Sequence, residues 1–194
     1  MGVGIIEGLT GTGKTSVIGA LRAVTTFELI DEETTFDDFA GEFFANAEAA
    51  AARATTRMAA ILDNIEAQRR SKRYILERFY FTHLALGSPW SFYRDLNQRC
   101  EALNAKVILL VLPEEEIAHR SLYRAEHGDQ DWQGLLDHYG SEQEALRALS
   151  NSQAARIRAV AESRLEHRIV NTSGKQWHPY AVEIAEWLDW RTEP

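Results

Sequence analysis

The chain has 194 residues, 45% of them apolar and 26% charged, which are the proportions of a soluble globular protein long enough for one core. Its 21 Lys and Arg against 29 Asp and Glu leave a net charge of −8, which argues against a general binder of nucleic acid polymers or anionic membrane. The one cysteine, Cys100, excludes an internal disulfide and a cysteine-based zinc site.

In chain order, Val3 to Glu7 is predicted as a first strand, closed by Gly8. Thr15 to Ala23 follows as a helix with Val17, Ile18, Leu21 and Val24 on one face. Phe27 to Asp31 reads as a second strand, and Asp38 to Arg70 as a long, Ala-rich helix. Tyr74 to Leu76 is a short third strand. Thr82 to Leu103 is mostly helical, with a break near Gly87-Ser88-Pro89. Lys106 to Leu112 is a continuous apolar run of the kind buried on both faces of a parallel sheet. Pro113 and three glutamates then open a helix, where proline and acids suit an N-terminus. Asp131 to Tyr139 and Ser141 to Arg164 are further helices. Arg168 to Asn171 is the last strand and Tyr180 to Trp190 the closing helix. Strands separated by helices imply an α/β fold, a doubly wound five-stranded parallel sheet with helices on both faces, spanning 1–194 as one domain. The N-terminus lacks a basic, signal-like segment and no apolar run is long enough to cross a bilayer, so a cytoplasmic protein is expected.

Gly8-Leu9-Thr10-Gly11-Thr12-Gly13-Lys14-Thr15 fits the pattern G-x-x-x-x-G-K-[ST] between a strand and a helix. Glycines let successive backbone N–H groups turn toward phosphate oxygens, and the helix that follows adds its positive end. Gly8, Thr10, Gly11, Thr12, Gly13, Lys14, Thr15 and Ser16 are therefore candidate nucleotide contacts. Lys14 suits the β- and γ-phosphates, and the Thr15 hydroxyl suits Mg²⁺. A base-reading Asn-Lys-x-Asp is missing from the sequence, which counts against a GTPase. The apolar strand 106–112 ends at Pro113 rather than at an acid, which counts against a motor-type ATPase.

Ile6-Glu7-Gly8 before the loop, Glu77-Arg78-Phe79 after the third strand, and Arg120 with Arg124 together resemble the P-loop nucleoside and nucleotide kinases. Within them the chain looks most like thymidylate kinases and their deoxynucleoside kinase relatives. The third strand of thymidylate kinases ends in Asp-Arg-Tyr, that of deoxynucleoside kinases in Glu-Arg-Ser. Glu77-Arg78 combines the two, with Thr82 at a Ser position and Leu86-Gly87 in place of Tyr-Gln. The resemblance implies ATP and Mg²⁺ as cofactors, with Glu77 near the metal and Arg78 on the reacting oxygens. It implies an acceptor-binding role for Arg57, with Arg53 as its competitor. Asp31-Glu32-Glu33 resembles the Glu-Pro whose glutamate takes the acceptor hydroxyl's proton, so Glu32 or Glu33 is a candidate base. A phosphate acceptor, already an anion, needs none. Arg120 and Arg124, four residues apart on one helix face, resemble lid-entry arginines, with a lid over about 120–140. The turn Asn171 to Gly174 would pass near adenine, and the resemblance is compatible with a homodimer through the long helices.

All eight Phe lie between Phe27 and Phe92, in the half that would hold the acceptor. Most are expected in the core, with Phe36, Phe39 and Tyr80 as candidates for stacking on a substrate. Arg69 to Arg73 reads as a solvated helix end, the six His show no metal-ligand spacing, and Cys100 reads as core. The residues thus point to a kinase moving the γ-phosphoryl group of ATP to a nucleoside, a nucleoside monophosphate or another small hydroxyl compound. A regulatory module that binds ATP without transferring phosphate is the competing reading, and it gives no use for the arginines.

Overall fold

The computed structural model describes residues 2–36, 46–68, 71–122 and 139–190. Five parallel strands form one sheet: β1 (Gly2–Gly8), β2 (Glu28–Ile30), β3 (Arg73–Glu77), β4 (Lys106–Val111) and β5 (Glu166–Asn171), in the order β2-β3-β1-β4-β5. The sequence alternates side chains across that sheet. Val3, Ile5, Tyr74, Leu76, Val107 and Leu109 join one core; Ile6, Ile75, Ile108, Leu110 and Val170 join the other.

The first core packs against α3 (Ala47–Gln68), α4 (Tyr80–Ala85), α5 (Arg94–Ala102) and α7 (Glu142–Ser163). The second packs against α1 (Lys14–Arg22) and α8 (Trp177–Trp187). Helices on both faces bury both sides, which is why the central strands carry apolar residues on both faces. Two short helices remain, α2 (Glu32–Phe36) and α6 (Glu114–Ile117).

The expected doubly wound parallel sheet is the observed one. Differences lie at the helix ends. Of the expected helix 38–70, residues 47–68 form α3, the other positions apart from Asn46 lie outside the described residues, and α2 is an additional short helix before it. Asp31 accepts hydrogen bonds from the Thr34 N–H and hydroxyl, at 3.0 and 2.8 Å, and so starts α2 at once after β2. The Asn46 side chain accepts from the Ala49 N–H at 3.1 Å and starts α3. The helix after Pro113 lasts only to Ile117 and gives way to a π-helical turn at Ala118–Leu122. The expected break near Gly87 is real: Gly87 has φ +101°, and a 3₁₀ turn at Trp90–Phe92 leads into α5. The expected helix 131–139 and most of the expected lid lie outside the described residues. No described helix is long and apolar enough to cross a membrane.

Candidate active site

The loop between β1 and α1 closes on itself. The Thr12 hydroxyl and N–H both donate to the Leu9 carbonyl, at 2.8 and 3.3 Å. Gly13 has φ +87°, and a methyl group there would lie 2.5 Å from the Trp177 ring. Glycine is required at that position by conformation and by space. Lys14 opens α1, at the positive end of the helix dipole. Its side chain is buried, and its hydrogen bond to the Leu9 carbonyl is long, 3.4 Å. Burial, with Arg78 nearby, pushes its pKa down to about 7 against the pull of Glu32, Glu77 and Glu7. A buried ammonium at the N-terminus of a helix is chemically suited to an anion. Thr15 and Ser16, the next two residues, are exposed and within the first turn of α1.

A second set of contacts steadies the loop from outside. The Thr172 hydroxyl donates to the Thr12 carbonyl at 2.7 Å. Arg120 donates to the Thr172 carbonyl at 2.8 Å and its guanidinium lies 5.6 Å from the Trp177 ring centroid. Arg120 thus stands beside Gly13 and the turn after β5, within reach of a nucleotide on the loop. Arg124 lies outside the described residues.

The sheet brings the strand-end charges to the same place. β3 pairs with β1 so that Glu77 is level with Ile6, and Arg78 follows beside the loop stem. Arg78 has φ +51° and donates its backbone N–H to the Ile6 carbonyl at 3.1 Å. Its guanidinium donates to the Thr10 hydroxyl at 2.9 Å and meets the Glu32 carboxylate at 3.0 Å. Glu77 is held by the Thr35 hydroxyl, which donates to its backbone carbonyl at 2.8 Å. Burial raises the Glu77 carboxyl's pKa, and Lys14 opposes that rise. Lys14, Arg78, Glu32 and Glu77 therefore form one cluster at the phosphate loop.

Glu33, the alternative base, is exposed, and among the described residues no hydrogen bond or ion pair ties it to the cluster. Arg57 is exposed on α3 and acts electrostatically on His83 of α4. Tyr80 is a correction. It is fully buried, donates its hydroxyl to Asn97 at 2.6 Å and stacks on Tyr93, so it is a core residue and presents no face to a substrate. The Phe36 side chain and Phe39 lie outside the described residues.

For a metal, groups of three or more acidic, His or Cys side chains are missing among the described residues. The Mg²⁺ expected from the sequence would be bound by one or two protein oxygens together with substrate phosphates. The residues expected to hold it are Thr15, which is exposed, and Glu77, whose carboxyl interacts with Lys14.

Sequence reasoning gave Glu7 no role beyond its place before the loop, and it missed Arg156. Glu7 is wholly buried behind the loop, and Arg156 of α7 is buried against it. Both were legible. Glu7 continues the inward positions Val3 and Ile5 of β1, and Arg156 continues the buried stripe Ala145, Leu149, Val160 of α7. A charged residue on a buried stripe is the signal.

The sequence matches no protein-family model. No curated protein is similar to it in sequence. Solved structures are similar in fold. The Bacillus subtilis YorR protein, crystallised in complex with phosphorylated GDP, matches with a TM-score of 0.65 and 15% identity, over 96% of this chain and 95% of its own. Thymidylate kinase from Candida albicans matches with a TM-score of 0.63 and 16% identity, over 97% and 91%. Shikimate kinase from Bacteroides thetaiotaomicron matches with a TM-score of 0.60 and 15% identity, over 97% and 98%. The chain shares the fold of these three structures along nearly its whole length.

Proposed function

We propose that the protein is a phosphotransferase that moves the γ-phosphoryl group of Mg·ATP to a small molecule, a nucleoside or a nucleoside monophosphate. The observation that carries this is the convergence of Lys14, Arg78, Glu32 and Glu77 on a phosphate loop with Thr15 exposed beside it. Phosphoryl transfer asks little covalent chemistry of a protein and much fixed positive charge around the moving oxygens. The loop N–H groups and Lys14 would hold the β- and γ-phosphates. Mg²⁺, held by Thr15 and Glu77, would neutralise charge between those phosphates. Arg78 stands across the loop at Thr10, where it would meet the transferring group. Arg120, Trp177 and the turn after β5 offer a flat cationic and aromatic place for the base.

Glu32, paired with Arg78, is the candidate base for a hydroxyl acceptor. The likeness to a thymidylate kinase supports a nucleotide-type acceptor, and the likeness to a shikimate kinase leaves a non-nucleotide hydroxyl compound as the alternative. A module that only binds ATP would have no use for the Arg78–Glu32 pair at the loop. The enzyme would work in the cytoplasm on small molecules, apart from nucleic acid polymers and membranes. Coupled ADP release from Mg·ATP across nucleosides, nucleoside monophosphates, sugars and other small alcohols tests this. Stimulation by one acceptor supports the proposal. ATP binding with no stimulation by any of them counts for the binding module.

A further inference from the structure

Glu7 lies at the last inward position of β1, one residue before Gly8, and its carboxylate is fully buried. Both oxygens are engaged. One accepts the Phe79 N–H and the other the Thr82 hydroxyl, each at 2.8 Å. Arg156 reaches the same carboxylate from α7, its Nε 3.9 Å away, and one Nη approaches the Thr82 hydroxyl at 3.4 Å. The other Nη is anchored on its own helix by the Ser152 carbonyl and hydroxyl, at 3.2 and 2.6 Å. Arg156 Nε makes no hydrogen bond among the described residues.

Such a pair is a poor device for stability alone. Desolvating two charges costs much of what their attraction returns, and apolar replacements of buried pairs are often neutral or stabilising. Burial raises the Glu7 carboxyl's pKa, and the Arg156 charge is the largest influence opposing that rise.

What the pair touches is the turn that carries Arg78. Arg78 has φ +51°, a conformation that a residue with a Cβ adopts only when its surroundings impose it. Two backbone bonds impose it here. The Arg78 N–H is held by Ile6, and the next N–H, of Phe79, is held by Glu7. Thr82, one turn into α4, is held by the same carboxylate. The geometry points to Glu7 and Arg156 as positioning residues for phosphoryl transfer, a role that rests on the phosphotransferase reading above. Arg156 faces the Glu7 carboxylate and holds it in place, Glu7 fixes the Arg78–Thr82 turn, and the turn aims the Arg78 guanidinium at Thr10 and Glu32. The pair also ties α7 to the stem of the phosphate loop.

The test uses slow hydrolysis of Mg·ATP by water, which needs no identified acceptor, beside the Kd for Mg·ATP from calorimetry. The double variant Glu7→Met/Arg156→Met removes both charges and every acceptor at position 7. Hydrolysis should fall by about 30-fold or more while the Kd stays within about threefold, as for loss of a group that acts only in the transition state. Glu7→Gln/Arg156→Met returns an amide oxygen to the Phe79 N–H and should recover about tenfold of that loss. Wild-type hydrolysis by the Met/Met variant would overturn the proposal and leave the pair a packing feature. If that variant does not fold, Thr82→Val carries the test. It leaves the charges in place, and hydrolysis should fall by about fivefold at an unchanged Kd. An unchanged rate in Thr82→Val would then overturn it. A wild-type protein that neither binds nor hydrolyses Mg·ATP would instead refute the phosphotransferase reading itself.

Discussion

Binding of Mg·ATP should draw a proton onto Lys14. Burial, with the Arg78 charge, depresses the pKa of this ammonium from 10.5 to about 7, because a 3.4 Å hydrogen bond and the pull of Glu32, Glu77 and Glu7 only partly replace the lost water. Phosphate oxygens at the loop would favour the charged form and restore a high pKa. With a free pKa of about 7, Lys14 is about 90% neutral at pH 8 and about 10% neutral at pH 6. Binding should therefore take up about 0.9 proton at pH 8 and about 0.1 at pH 6. The affinity should fall toward tenfold per pH unit above pH 8, since each unit demands one more proton from a scarcer supply. Calorimetry in two buffers of different ionisation enthalpy reads the uptake directly. The sign for stability is the reverse. The unfolded chain holds this proton up to about pH 10 and the free folded protein does not, so from this group apo stability rises with pH between about 7 and 10.5. Buffer-independent binding enthalpy at pH 8 would refute the reasoning about Lys14.

Other substitutions separate the parts of the site. Gly13→Ala should cost at least about 2 kcal/mol by denaturant unfolding and raise the Kd for Mg·ATP by more than about tenfold, because φ +87° and the Trp177 ring both exclude a methyl group. Thr172→Val should cost about 1–2 kcal/mol by leaving the Thr12 carbonyl without its donor, and Thr172→Ser should restore it. Tyr80→Phe should cost about 1 kcal/mol through Asn97 and leave turnover unchanged; a loss of turnover would return Tyr80 to the site. Glu32→Gln should slow transfer by about 100-fold with a hydroxyl acceptor, and by less than about tenfold with a monophosphate, when each is assayed by ADP release.

The sheet and the phosphate loop were legible because their signals are local. Apolar runs and a glycine-rich turn before a helix follow from backbone geometry that a few neighbouring residues dictate. Glu77 and Arg78 were legible as a strand end, and parallel pairing with β1 then puts them at the loop. The start of α3 was not read from the sequence because its asparagine cap, Asn46, lies within an Ala-rich stretch whose composition alone reads as one helix. Tyr80 was misplaced because an aromatic after a catalytic-looking pair reads the same whether it faces a ligand or the core. Here α4 turns it inward onto Asn97 and Tyr93. Trp177 and Thr172 needed the fold, since their partners Gly13, Thr12 and Arg120 are far away in sequence.

The central claim is that this site transfers a phosphoryl group. ATP labelled in its γ-phosphate, incubated with the protein, Mg²⁺ and the acceptor panel, tests it most directly. The account predicts that the label appears covalently on one organic acceptor, and that both Lys14→Ala and Arg78→Ala abolish the labelled product. Label that stays on ATP or appears only as inorganic phosphate with every acceptor, while Mg·ATP still binds, would contradict it.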